Sequence, residues 1–279
     1  MNPNDIAKRF VAGTASGVCL VLVGHPWDSL KVKMQVEKEA NVSLRETIRR
    51  TFRQSGIKGF YYGMTPPLAL TGVINTVLWG MQFNLVEYLS PGKPATTGVV
   101  MQAAVISGIL ISAIVTPVEV IKSKLQVGKG DKGPLRITQE IYQNSGIRGI
   151  YRGLSAVALV RASNWAYFGS YAAIQDFLQT LSWAPKSRQG NALLAGGLAG
   201  VCFWFAAFGF DTVKARMMVD ETPKSFVRTA QDIYREHGLR GFTRGFSPCV
   251  IRAFPANAAA FFGFETAMAL LNKLETQKI

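Results

Sequence analysis

Histidine occurs only twice in these 279 residues, cysteine three times, and 17 acids stand against 31 lysines and arginines. Each shortage excludes something. His25 and His237 lie in unrelated contexts, which leaves no basis for a metal site built on histidine. Cys19, Cys202 and Cys249 are odd in number and far apart, so neither a disulfide framework nor a zinc spacing is offered. Their apolar surroundings read as buried free thiols. No Ser/His/Asp set, no Gly-rich phosphate loop with Lys-Ser/Thr and no metal cluster can be found. No catalytic residue, no metal and no cofactor is therefore expected, and the chain does not read as an enzyme. The opening "MNPNDIAKRF" has neither the pattern of a cleaved signal nor that of an Arg/Ser-rich presequence.

Hydrophobic residues, in contrast, make up 48% of the chain and charged ones only 17%, which argues against disorder. The net charge of +14 admits nucleic acid, an anionic membrane or an acidic ligand as partner, and the placement of the bases has to decide. "GHPWDSLKVKMQ" (24–35) supplies Pro26, Asp28, Lys31, Lys33 and Gln35. "TPVEVIKSKLQ" (116–126) answers with Pro117, Glu119, Lys122, Lys124 and Gln126, and "GFDTVKARMM" (209–218) with Asp211, Lys214 and Arg216. In the third copy Gly209 stands in place of proline and Met218 in place of glutamine.

A second motif keeps the same period: "SGIKGFYYG", "SGIRGIYRG" and "HGLRGFTRG" end at Gly63, Gly153 and Gly245. Small residues four apart precede each charged cluster (Gly13 and Gly17, Ala104 and Gly108, Gly196 and Gly200), a spacing that lets helix backbones approach. The chain is a threefold repeat with boundaries at 1–90, 91–183 and 184–279, forming one transmembrane domain over 1–279.

Apolar segments fall near 5–36, 65–89, 96–127, 155–180, 190–219 and 246–272, each long enough to cross about 30 Å of hydrocarbon as a helix. Between them 43–54, 135–145 and 224–236 read as short surface helices. Bases crowd the loops inside the repeats (Lys38, Arg45, Arg49, Arg50, Arg53 and Lys58 in the first) and are sparse between repeats, chiefly Lys93, Lys186 and Arg188. Such a bias orients a membrane protein and speaks against a nucleic-acid partner. The fold class is an all-α membrane protein. Six transmembrane helices in three two-helix repeats share one orientation and form a pseudo-threefold barrel along the membrane normal. An uncompensated charge at the bilayer centre costs about 2.5–3.5 kcal/mol on insertion scales, so acids and bases recurring at one depth must meet each other or water. A ring of such pairs that breaks and re-forms would act as a gate; a static ring would only hold helices together.

The Pro-x-acid-x-x-base-x-base pattern with a following Gln, varied three times over essentially the whole chain, resembles the mitochondrial carrier family. The resemblance implies a carrier of the mitochondrial inner membrane, working by alternating access to one central site. It implies a matrix gate in which Asp28 pairs with Lys122, Glu119 with Lys214 and Asp211 with Lys31. Gln35 and Gln126 would brace two of these pairs, and Met218 cannot brace the third. Gly63, Gly153 and Gly245 resemble the family's cardiolipin-binding sites, at helix N-termini whose free N–H groups suit phosphate. A path inside one chain needs no second subunit, so a functional monomer is expected. The family's cytosolic acid–base set has no counterpart in Phe83-Asn84 with Glu87, Tyr171-Ala172 with Gln175, or Phe264-Glu265 with Met268. A weak cytosolic gate and a resting state open to the cytosol follow.

Substrate-reading residues belong at mid-membrane on the second helix of each repeat. Arg161 and Arg252 stand there, each with a guanidinium fork for a carboxylate or phosphate. Asn164 and Asn257 follow by about a turn, Asn75 is their counterpart in the first repeat, and Trp204 sits two turns before Asp211 on one face. The second motif with glutamate and "RAFPANAAAFFGFE" resemble the amino-acid and carnitine/acylcarnitine branch. That branch typically has an acid after the first of these arginines, whereas Ala162 stands here. A substrate cation must then be met elsewhere, for instance by Trp165 through cation–π attraction, or the cargo is an anion. The reading is a transporter of an amino-acid-like or carnitine-like solute in exchange. The alternatives are a carrier of carboxylate or nucleotide-like anions and a non-transporting membrane scaffold.

Overall fold

The computed structural model describes all residues except 1–2, 38, 40–41, 129–131, 182–187, 221, 223 and 277–279. The described secondary structure is helical. In chain order the helices are α1 (Pro3–Val36), α2 (Leu44–Ser55), α3 (Thr65–Leu89), α4 (Thr97–Val127) and α5 (Pro134–Ile150). Then follow α6 (Leu154–Ala162), α7 (Asn164–Thr180), α8 (Arg188–Val219), α9 (Phe226–His237) and α10 (Phe246–Thr276). Among the described residues three stretches are long and apolar enough to cross a membrane: Thr97–Val127, Leu194–Val219 and the region Phe226–Leu271, which holds α10.

The expected helix over 155–180 is two. Between α6 and α7 the Ser163 hydroxyl donates to the Leu159 carbonyl at 2.9 Å, and the Ala166 amide turns back to the Ser163 carbonyl at 3.0 Å. A serine side chain that bonds four residues back competes with the backbone ladder and bends the helix. Hydrophobicity alone could not reveal that break, since Ser163 lies within an apolar run.

The surface helices form for local reasons. Ser43 caps α2 by accepting from the Glu46 amide (3.2 Å), and Ser225 caps α9 by accepting from the Arg228 amide (3.3 Å). Their ends are equally regular: Gly56 (φ 58°) follows α2, Gly238 (φ 61°) follows α9, and Gly146 (φ 57°) breaks α5 at the matching place. Only glycine adopts such a φ without strain, so chain direction changes at one site per repeat. On α9 the Lys224 ammonium bonded to Asp232 at 2.6 Å holds that carboxyl below its ordinary value.

Two compact units take shape, neither coinciding with a repeat. The first (1–73, 121–140 and 245–279) is built on α1 against α10. Gly263 lies where an added Cβ would meet Cys19 Sγ at 2.7 Å, and Gly24 meets Ala256 and Arg252 at 3.4 Å. The second (74–120 and 141–244) packs α8 against α6, α7 and α9. There Ala156, Val213, Met217 and Ile233 form a core that joins the helices to the surface segment.

Two expectations need correction. Of the small pairs, Ala104 and Gly108 are buried, and Gly108 lies against the Arg161 carbonyl, but Gly13, Gly17 and Gly200 face open space and Gly196 has only a Tyr167 hydroxyl near it. In repeats 1 and 3 the buried face runs through Ala12, Ala195 and Ala199, one register earlier, because a methyl group is small enough for those crossings. Cys249 is buried and Cys19 partly so, but Cys202 is exposed beside Val201 and Phe205. In a membrane helix an apolar neighbourhood in sequence marks lipid as readily as core.

Gly63, Gly153 and Gly245 have φ values of 79°, 85° and 82°. An added Cβ at Gly63 would stand 2.8 Å from the Lys122 carbonyl oxygen on α4, and at Gly245 2.9 Å from that of Lys31 on α1. At Gly153 it would meet Met218 Cγ on α8 at 3.4 Å. Each repeat thus lays the start of its second helix on the first helix of another. Gly63→Ala combines a disfavoured φ with a backbone clash and is expected to lower stability by about 1–3 kcal/mol. Gly209→Ala, in open helical space, is expected to be neutral or stabilising by about 0.5–1 kcal/mol. Thermal unfolding of the two variants in one detergent checks the contrast.

Candidate functional site

The charged motif ends each of α1, α4 and α8, its first base three positions after its acid. In the first unit Asp28 is held from two sides. Lys122 Nζ of α4 lies 2.9 Å from Oδ2, and Arg252 Nη1 of α10 lies 3.1 Å from Oδ1. In the second unit Glu119 of α4 is held in the same manner. Lys214 Nζ of α8 lies 2.8 Å from Oε2 and Arg161 Nη2 of α6 lies 3.3 Å from Oε1. Lys214 also reaches Asp211 Oδ1 on its own helix at 2.9 Å.

Both acids therefore spend one oxygen on a motif lysine and the other on an arginine. A carboxylate in such a place needs two cations or several donors to offset its loss of water. The arginine side chains keep 29% (Arg161) and 27% (Arg252) of their surface open, so neither fork is fully used. Lys31 on α1 is buried, as is Asp211.

Gln126 lies beside the motif acid of α1. Its Nε2 donates to Ser29 Oγ at 3.4 Å, and Ser29 Oγ donates to the Phe60 carbonyl at 2.9 Å. Ser29 follows Asp28 directly, so the glutamine steadies the turn beside the acid. Gln35 is buried, and Met218, at the third such position, fills the space beside Gly153. Trp204 meets the edges of Phe203 and Phe208 at 5.1 and 6.1 Å between centroids. Asn164 opens α7 just after the break at Ser163. The side chains of Asn75 and Asn257 lie outside the described residues. Trp165 is half exposed, and Asn84 donates to the Gly80 carbonyl of its own helix at 2.7 Å.

Several positioning residues escaped the reading of the sequence. His25 Nε2 bonds the Tyr62 carbonyl at 2.9 Å, and Thr212 Oγ1 donates to the Phe242 carbonyl at 3.1 Å, as Ser29 does to Phe60. A hydroxyl directly after the motif acid was the available signal in repeats 1 and 3; Val120 occupies that place in repeat 2. The second base of the motif docks onto the surface segment. Lys33 Nζ reaches Thr51 Oγ1 (3.2 Å) and the Gly59 carbonyl (3.3 Å), while buried Arg216 reaches Glu236 at 2.5 Å.

The family profile described as "Mitochondrial carrier protein" matches the chain three times, over residues 2–92, 93–182 and 186–275. The chain belongs to the mitochondrial carrier family. Among similar proteins, the mitochondrial substrate carrier family protein L of Dictyostelium discoideum is 36% identical over 94% of each chain. The mitochondrial basic amino acids transporter of Bos taurus is 34% identical, over 92% of this chain and 89% of its own. The mitochondrial carnitine/acylcarnitine carrier protein of Rattus norvegicus is 33% identical, over 97% and 96%. The all-α carrier fold places this protein as a multi-pass member of the mitochondrial inner membrane, a transporter of small molecules and not an enzyme.

Proposed function

We propose that this carrier exchanges a zwitterionic solute of the amino-acid or carnitine/acylcarnitine kind. The observation that carries the reading is the pairing of Arg252 with Asp28 and of Arg161 with Glu119. Such a pair is itself a zwitterion held open to solvent on one side. A solute carboxylate takes the guanidinium fork, and a solute ammonium takes the carboxylate that the fork leaves. Ala162 provides no acid after Arg161, but Glu119 provides one in contact with it. The relatives that carry basic amino acids and carnitine esters support this substrate class.

The pairs Asp28–Lys122 and Glu119–Lys214, completed by Asp211 with Lys31, form the proposed matrix gate, with Gln126 and Gln35 behind it. With that gate closed, the resting carrier is open to the cytosol. Asn75, Asn164, Asn257 and Trp204 orient the solute. The amides that follow Gly63, Gly153 and Gly245 hold a cardiolipin phosphate, and one chain suffices for transport. One observation favours an anionic cargo instead: Arg161 and Arg252 with no acid at 162 would also suit a dicarboxylate.

The test is counter-exchange in cardiolipin-containing liposomes with labelled carnitine, basic and neutral amino acids, dicarboxylates and adenine nucleotides. Uptake of a zwitterion or basic amino acid is expected. Uptake confined to anions would move the assignment to the second reading, and no uptake by folded protein would leave a scaffold.

A further inference from the structure

The first helix of each repeat carries a stripe of three positions, four residues apart, around its motif acid. The stripe is 25, 29 and 33 on α1, 116, 120 and 124 on α4, and 208, 212 and 216 on α8. Residues four apart lie on one face of a helix. On α1 all three donate to backbone carbonyls of the segment that follows α2. His25 Nε2 donates to Tyr62 at 2.9 Å, Ser29 Oγ to Phe60 at 2.9 Å and Lys33 Nζ to Gly59 at 3.3 Å. A carbonyl only accepts, so Nε2 carries the imidazole proton. On α8 two positions are tied: Thr212 Oγ1 donates to the Phe242 carbonyl at 3.1 Å, and Arg216 pairs with Glu236 of α9 at 2.5 Å. Phe208 has no donor to offer.

The stripe on α4 is different. Thr116 Oγ1 turns back to the Ser112 carbonyl of its own helix at 2.6 Å, and fully buried Val120 has no donor, which leaves Lys124. Helix α1 packs along α2 and α8 along α9, and among the described residues no comparable packing joins α4 to α5. The two sides of repeat 2 are held by other repeats. The end of α4 is held by repeat 1: Gly63 lies on the Lys122 carbonyl, Lys122 pairs with Asp28, and Gln126 donates to Ser29. The segment after α5 is held by repeat 3: Arg152 donates to the Asp220 carbonyl beyond α8, and Gly153 lies against Met218.

We propose that repeat 2 is where the end of the carrier bearing the charged motifs gives way: α4 moves against its own surface segment, while α1 and α8 move with theirs. Donors on one stripe must part from their carbonyls together, in a place where lost hydrogen bonds are poorly replaced by water, so a clamped helix and its segment behave as one piece. His25, Ser29 and Lys33 are thus positioning residues for Asp28, as Thr212 and Arg216 are for Asp211. Glu119, followed by Val120, lacks the equivalent hydroxyl. The unequal clamping depends neither on the transported solute nor on whether the motif acids form a gate.

The test uses the full chain in liposomes, without added solute and with its three cysteines replaced by alanine. Pairs of spin labels join the end of each first helix to the exposed side of its surface helix: Val36 with Arg53, Val127 with Gln143, and Val219 with Arg235. Distance distributions are read by double electron–electron resonance. The distribution in repeat 2 is expected to be about twofold wider than in repeats 1 and 3. Val120→Thr, which keeps the side-chain shape and supplies a hydroxyl where α1 has Ser29, should narrow it toward theirs. Ser29→Val should widen the distribution in repeat 1 and serves as the second arm if Val120→Thr does not fold. Equal widths in the three repeats would overturn the proposal. Widths that differ but respond to neither substitution would overturn the stripe as their cause.

Discussion

Arg252→Ala is expected to lower exchange severely while leaving the fold intact. On the proposed reading, the substitution removes a charged, forked donor from the solute carboxylate. Hydrogen bonds to charged groups contribute about 1.5–3 kcal/mol each, so a loss of about 100-fold in initial exchange rate follows from one of them. Asp28 keeps Lys122 at 2.9 Å, so its charge stays compensated and thermal unfolding should shift little. Arg252→Lys restores the charge but not the fork and should recover only part of the rate. The measurement is labelled-substrate uptake at matched protein incorporation, with thermal unfolding in parallel. A variant that exchanges at the normal rate would remove Arg252 from the solute site. One that unfolds early would mark it as structural.

Lys214→Met is the substitution expected to cost the most stability. Its ammonium is shared between Glu119 and Asp211, and only 14% of its side chain is exposed. Without it two carboxylates face each other in a poorly hydrated place with one cation fewer. Breaking a buried pair from one side typically costs about 3–5 kcal/mol, which lowers the unfolding temperature on the order of 10 °C for a chain of this size. Adding Asp211→Asn to Lys214→Met should recover part of the loss, because the mutual repulsion of the acids is then relieved. Thermal unfolding of wild type, both single variants and the double variant closes the cycle. Additive losses in the double variant would show that Lys214 and Asp211 are energetically independent and that the 2.9 Å contact contributes nothing.

Much of this architecture is legible before any coordinate is known. The charged motif recurs at offsets of 91 and 92 residues, so whatever holds one copy must hold three, and membrane depth then follows from the apolar runs between them. The surface helices are read from short amphipathic stretches with bases on one face, and the caps at Ser43 and Ser225 that start two of them are equally local, a matter of a few neighbouring residues. Arginines inside an apolar segment stand out because an unpaired charge there is costly, and both Arg161 and Arg252 are found with carboxylates.

What the order of residues alone determined is periodic or local: the three repeats, the helices, the caps, the sidedness of the bases and the presence of charges that must be compensated. Tertiary structure decided which groups compensate which. Each of Asp28 and Glu119 is divided between a motif lysine and an arginine, and Gln126 bonds Ser29 beside the first of them. The helix is interrupted at Ser163, and Cys202 is exposed. The physical reason is one of range. A helix or a cap answers to neighbours within about four residues, but the partner of a buried charge is chosen by geometry across helices 94 residues apart in the case of Lys122 and Asp28. Any base at the right depth meets the electrostatic need, and only packing selects among them.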